Sequence, residues 1–168
     1  MGFSEAIRTC FRKYVGFSGR AARPEYWWFV LFVFIGSILG NVIDRILFGG
    51  GPMASTPVTS IFQLAIFLPI VAAGWRRMQD TGKPGWLILL PVAVSLISMV
   101  GLMGGVFGFG MMQHGGMAPE ALNGPAAMMG GAGFIIAVIV QLVVAVLMIW
   151  WLTRPGDPGA NKYGPPPA

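Results

Sequence analysis

Four apolar runs leave this chain few ways to fold. They cover about 26–48, 58–75, 86–107 and 134–152, and each approaches the roughly 20 helical residues that cross a hydrocarbon core of about 30 Å. A backbone in lipid must satisfy its own N–H and C=O groups, so runs of this kind become helices. Composition agrees: 55% of residues are hydrophobic, 10% are charged, and the mean hydropathy is +0.72. Six acids and eleven bases cannot supply the charged shell of a soluble fold of 168 residues. The expected fold is all-α. It is a polytopic membrane protein of four transmembrane helices plus an N-terminal amphipathic interfacial helix, forming a single membrane domain over 1–168.

Ahead of the first run, Phe3, Ile7, Cys10, Phe11 and Tyr14 recur at three- and four-residue steps, with Glu5, Arg8, Arg12 and Lys13 between them. This spacing predicts an amphipathic helix over 3–15, starting near Ser4. It lies along the interface or packs on the other cytoplasmic segments. No cleavage-site pattern follows it, so it is not read as a signal peptide. Arg23-Pro24-Glu25 opens the first span, with proline in the tolerated first turn. Pro69 bends the second span, and a neighbouring helix can satisfy the carbonyl it frees. Pro91 falls one to two turns inside the third. Residues 108–133, rich in Gly, Met and Ala, read as a loop with a short helix near 119–122. The tail, 153–168, is turn-rich and without regular structure.

Between the second and third runs, Trp75 to Trp86 holds Arg76-Arg77-Met78-Gln79-Asp80-Thr81-Gly82-Lys83-Pro84-Gly85, a loop turning at the membrane surface. Ten of the eleven bases precede span one, lie in this loop or follow span four; Arg45 alone lies on the opposite side. The positive-inside rule therefore puts both termini and the loop in the cytoplasm. In a soluble protein the net charge of +5 would suggest nucleic acid. Beside membrane spans it suggests anionic lipid headgroups, and no nucleic-acid partner is expected. One cysteine, Cys10, excludes an internal disulfide and a CxxC metal site.

Three segments carry a family resemblance: Tyr14-Val15-Gly16-Phe17-Ser18-Gly19-Arg20-Ala21-Ala22-Arg23-Pro24-Glu25-Tyr26-Trp27; Arg76-Arg77-Met78-Gln79-Asp80-Thr81-Gly82 with Gly85-Trp86; and Pro155-Gly156-Asp157-Pro158-Gly159-Ala160-Asn161-Lys162-Tyr163-Gly164. In this order they resemble the YhaH-like bacterial inner-membrane family, a domain of unknown function. The resemblance implies a four-helix architecture, residence in the bacterial inner membrane and an uncharacterised activity. Where the family carries Leu-His before the aspartate of the middle segment, this chain has Met78-Gln79, which removes a proton-transfer or metal-binding histidine.

All three segments fall on the cytoplasmic side by charge. Arg20, Arg23, Glu25, Arg76, Arg77, Asp80, Asp157 and Asn161 are the candidate site, a cap in which planar guanidinium groups bridge carboxylates. Such ion pairs either hold the fold together or leave an anionic-ligand or partner site. Met111, Met112, His114 and Met117 are soft ligands suited to Cu(I), set against compositional bias in a Met-rich insert. No GxSxG, HExxH or phosphate loop is present, so the chain is read as non-enzymatic and without a cofactor. The expected function is that of an accessory or scaffold protein whose cap binds a membrane-protein partner, a second copy or anionic lipid. Alternatives are a small oligomeric transporter or channel and, more weakly, copper handling. Asp44 and Arg45 at one edge, with Gln63 and Gln141, are the polar groups a pathway would use.

Overall fold

A computed structural model describes residues 1–51, 54–114 and 125–167, with side chains left undescribed at 102, 104–132 and 134. The elements in order are α1 (Phe3–Arg12), α2 (Arg23–Phe48), α3 (Pro57–Asp80), a 3-10 turn (Gly85–Leu89), α4 (Leu90–His114) and α5 (Pro125–Thr153). No strand occurs among the described residues; an Asn161–Gly164 bridge closes a turn in the tail. Arg23–Phe48, Pro57–Asp80 and Ile135–Thr153 are long and apolar enough to cross a membrane, and a further apolar helical stretch, Gly85–Gly101, is shorter. The chain forms two compact units, Met1–Ile88 with Trp151–Ala168, and Leu89–Trp150.

Several boundaries differ from the sequence expectation. α1 starts at Phe3, as expected, with Gly2 rather than Ser4 as its cap residue and the Gly2 N–H donating to Glu5 Oε2 at 3.2 Å, but it ends at Arg12. α3 does not stop at Trp75 but runs through Asp80, so half of the expected loop is helix. Charge alone does not break a helix, and Arg76 to Gln79 are ordinary helix formers. The stop comes at Gly82, whose φ of +71° lies in the left-handed region open to glycine. Pro91 sits at the second position of α4, where it removes no intrahelical hydrogen bond. α4 persists to His114 and α5 begins at Pro125, so the expected loop over 108–133 shrinks at both ends. The short helix expected near 119–122 lies outside the described residues.

In the first unit, α1 packs on α2 and α3, which also pack on each other. Ala6 and Cys10 are fully buried, while Phe3 meets Trp28, and Phe11 meets Phe29 and Phe32 edge-on. Pro69 lacks the N–H that would pair with the Ala65 carbonyl four residues back. Tyr14 supplies the missing donor, its hydroxyl giving a 2.6 Å hydrogen bond to Ala65 O. At the far end of the same helix pair, Asp44 of α2 accepts from the N–H groups of Val58 at 2.9 Å and Thr59 at 2.8 Å. It thus caps the amino end of α3 from a neighbouring helix, since Thr56 provides no side-chain cap. Both Asp44→Ala and Asp44→Asn are expected to lower the thermal midpoint of the detergent-solubilised protein, alanine by leaving both N–H groups bare and asparagine by facing them with a third donor. Midpoints equal to wild type would remove the cap from the stability of the pair.

In the second unit, the Ser95 hydroxyl of α4 donates to Pro91 O at 2.8 Å and lies 3.4 Å from the Gln141 amide of α5. Gln141 is therefore placed at a helix–helix contact, the ordinary use of a polar side chain in an apolar helix.

Candidate functional site

The cap residues expected from sequence form one hydrogen-bonded cluster within the first unit. It begins with two consecutive arginines near the end of α3. Neighbours on a helix point about 100° apart, so Arg76 and Arg77 reach different segments. Arg76 Nη2 pairs with Glu25 Oε1 at 3.0 Å, and its Nη1 donates to Gly16 O at 3.3 Å and Lys13 O at 3.5 Å. Lys13 closes the carboxyl end of α1. Arg77 donates from Nε to Leu152 O at 3.0 Å, from Nη2 to Arg154 O, and from Nη1 to the Asp80 carboxylate one turn on. Leu152 and Arg154 lie at the carboxyl end of α5. Two adjacent cations therefore satisfy the orphan carbonyls of two different helices, at the ends where the helix dipole favours positive charge.

Arg20 ties the third segment in. Its Nε pairs with Asp80 Oδ1 at 2.9 Å, Nη1 donates to Gly159 O at 2.6 Å and Gly164 O at 3.4 Å, and Nη2 donates to Asp157 O. Asp80 thus serves two guanidinium groups, one on each oxygen. The tail also binds α3 directly: Asp157 N–H donates to Asp80 O at 2.8 Å, and the Asn161 amide donates to Gln79 O at 3.0 Å and Asp157 Oδ2 at 2.8 Å. Gly156 permits this approach, because a Cβ there would collide with the Asp80 carboxylate.

Arg20, Arg76, Arg77, Glu25 and Asp80 are all buried, Arg76 and Arg77 completely. Three buried cations face two buried anions. The remaining positive charge is met by carbonyl oxygens at helix ends and in the tail, which is how such a cluster escapes the penalty of an unpaired buried charge. Arg76 Nε and Gln79 Oε1 are the buried polar atoms of the cap without a hydrogen-bond partner among the described residues.

The structure brings together seven of the eight sequence-selected cap residues: Arg20, Glu25, Arg76, Arg77, Asp80, Asp157 and Asn161. Arg23 stands at the rim, exposed, with Nε donating to Arg154 O at 3.0 Å. Arg154 contributes its carbonyl, shared by Arg23 and Arg77. Sequence reasoning paired arginines with acids and overlooked main-chain acceptors, which take more of the guanidinium donors than the carboxylates do. Their signal was an arginine at or near the carboxyl ends of α1, α3 and α5. It also overlooked Tyr14, which could have been found by asking what answers the carbonyl four residues before Pro69.

Cys10 lies beside this cluster, its Sγ 4.0 Å from Glu25 O. Burial first, and the nearby Glu25 second, push its thiol up to about 12, so it stays protonated and unreactive at neutral pH. The side chains of Met111, Met112 and His114, and all of Met117, lie outside the described residues.

These features define a helical membrane protein with several long apolar helices and a cap of buried, clamped arginines. The chain belongs to the family described as Protein of unknown function (DUF805), which matches residues 14–165. It is similar to Inner membrane protein YhaH of Escherichia coli (strain K12), 36% identical over 92 residues, which cover 53% of this chain and 76% of that protein. It is also similar to Inner membrane protein YhaI of the same strain, 44% identical over 79 residues, covering 46% of this chain and 64% of YhaI. No solved structure matches.

Proposed function

We propose that this protein is a non-enzymatic accessory or scaffold protein of a bacterial inner membrane. In this reading it crosses the bilayer four times, with both termini and the cap in the cytoplasm, and the cap docks anionic lipid headgroups or an acidic segment of a partner. The observation that carries it is the division of labour among the bases. Arg20, Arg76 and Arg77 are buried and turned onto carboxylates and carbonyls, so they build a platform. Arg8, Arg12, Lys13, Arg23 and Lys162 are exposed around it. On α1 and its flanks the exposed bases stand beside exposed Met1, Phe3, Phe11 and Val15, the mixture of an interfacial helix. The ten-to-one distribution of bases supports the orientation, and the names of the E. coli relatives support the compartment.

Crosslinking in native membranes followed by mild purification tests the docking face. Wild type is expected to give crosslinks from α1 to a stoichiometric protein partner or to anionic lipid, and the triple variant Arg8→Gln, Arg12→Gln, Lys13→Gln to lose those α1 crosslinks while keeping its helical circular dichroism. Undiminished α1 crosslinks in the triple variant, or none in wild type, would refute this reading.

A further inference from the structure

Where α2 begins, Arg23, Pro24, Trp27 and Trp28 line an open recess of about 300 Å³. Its wall is apolar: the proline ring, two indoles and the arginine stem. Its rim carries a cation, because Arg23 is exposed while its Nε is tied to Arg154 O at 3.0 Å. That tie leaves the guanidinium held in place rather than swinging on a free stem, and Trp27 is fixed alongside by its Nε1 donating to Leu152 O at 3.4 Å. Below the recess, Trp28, Leu31, Ile35 and Ile38 are all exposed. They follow one another at steps of three and four residues, so they form a single stripe on one face of α2. Ten residues of helix from Trp28 to Ile38 rise about 15 Å, which is half of a hydrocarbon core of about 30 Å and therefore the depth of one leaflet.

We propose that this recess and stripe hold one phospholipid. Its phosphodiester is paired with the Arg23 guanidinium, its glycerol region lies against Pro24 and the indoles, and an acyl chain lies along the stripe. A cation above an apolar track one leaflet deep matches the two ends of a phospholipid. A soluble phosphate ester fills the top and leaves the track bare, and an acidic peptide has nothing to lay along it. Arginine suits the phosphodiester because its planar fork offers parallel donors, and tryptophan suits the glycerol level because its ring is apolar with one polar edge. The site rests on reading the cap as facing the headgroups, but it is separate from the α1 bases.

The test is native mass spectrometry of delipidated protein titrated with phosphatidylglycerol of one chain length. Wild type is expected to retain one lipid more tightly than the rest, and Arg23→Gln and Trp28→Ala each to weaken that retention about tenfold, with unchanged helical content. Trp28 serves as the second variant because it makes no tie to the tail; its ring meets Phe3 at 5.8 Å. The Arg8, Arg12, Lys13 triple variant is expected to keep the tight lipid, and millimolar glycerol 1-phosphate is expected not to displace it. Retention in both single variants, absence of a tight lipid on wild type, or displacement by glycerol 1-phosphate would each overturn the site. Loss of the lipid in the triple variant alone would also overturn the recess while leaving the basic-face reading intact.

Discussion

Asp80→Ala is expected to destabilise the protein by about 3–5 kcal/mol, the usual cost of removing one partner from a buried ion pair. The loss falls at the high end because Asp80 answers two guanidinium groups, Arg20 on one oxygen and Arg77 on the other. Removing it leaves both cations buried with carbonyls alone. Asp80 O still accepts from Asp157 N, but the side chains that hold the tail would lose their common anchor. The expected result is a markedly lower melting midpoint in detergent and cleavage within 154–164 by a protease that leaves wild type intact. Total stabilities of ordinary domains are about 5–15 kcal/mol, so much of the folded population would be lost at modest temperature. A melting midpoint and cleavage pattern matching wild type would show that Asp80 holds nothing.

Arg76→Leu is expected to have an effect of similar size by stranding Glu25, which is 2% exposed. A double-mutant cycle with Glu25→Leu isolates the pair. Each single change leaves one buried charge unmatched, at about 3–5 kcal/mol, whereas exchanging both charges for apolar groups removes the mismatch. The double variant is therefore expected to be more stable than the sum of the singles implies, by at least about 1 kcal/mol. Recovery is incomplete because Arg76 also holds Gly16 O and Lys13 O at the end of α1. Additive singles would mean that the 3.0 Å contact carries no coupling.

Much of this was legible because bilayer physics is strict. Apolar length marked the helices, and the crowding of arginines near Glu25, Asp80 and Asp157 marked the cap. What remained hidden was register and depth. Arg76 and Arg77 read as loop residues because charge next to an apolar run suggests exit from the membrane. Continuation of α3 to Asp80 instead turned them inward, under α1 and the tail. Likewise, the spacing of Phe3, Ile7, Cys10 and Phe11 identified a helix but not which side it would bury. The helix buries Ala6 and Cys10, while Phe3 and Phe11 stay exposed and meet Trp28, Phe29 and Phe32 edge-on. Asp44 looked like a pathway residue in isolation. Only the three-dimensional approach of α2 to the start of α3 shows both of its oxygens occupied.

The clamp also has a history within each molecule's synthesis. Arg20 is made early, yet its partners Asp157, Gly159 and Gly164 follow by 137 to 144 positions. Arg77 likewise waits for Leu152 and Arg154. Until residues 152–164 are made, Arg20 and Arg77 lack the carbonyls of that segment, whereas Arg76 already has Glu25, Gly16 and Lys13 upstream of it. The contacts to the tail are therefore the last of the clamp that the order of synthesis makes available. A chain cut before residue 152 would keep the Arg76–Glu25 pair but lack every tail carbonyl that Arg20 and Arg77 hold.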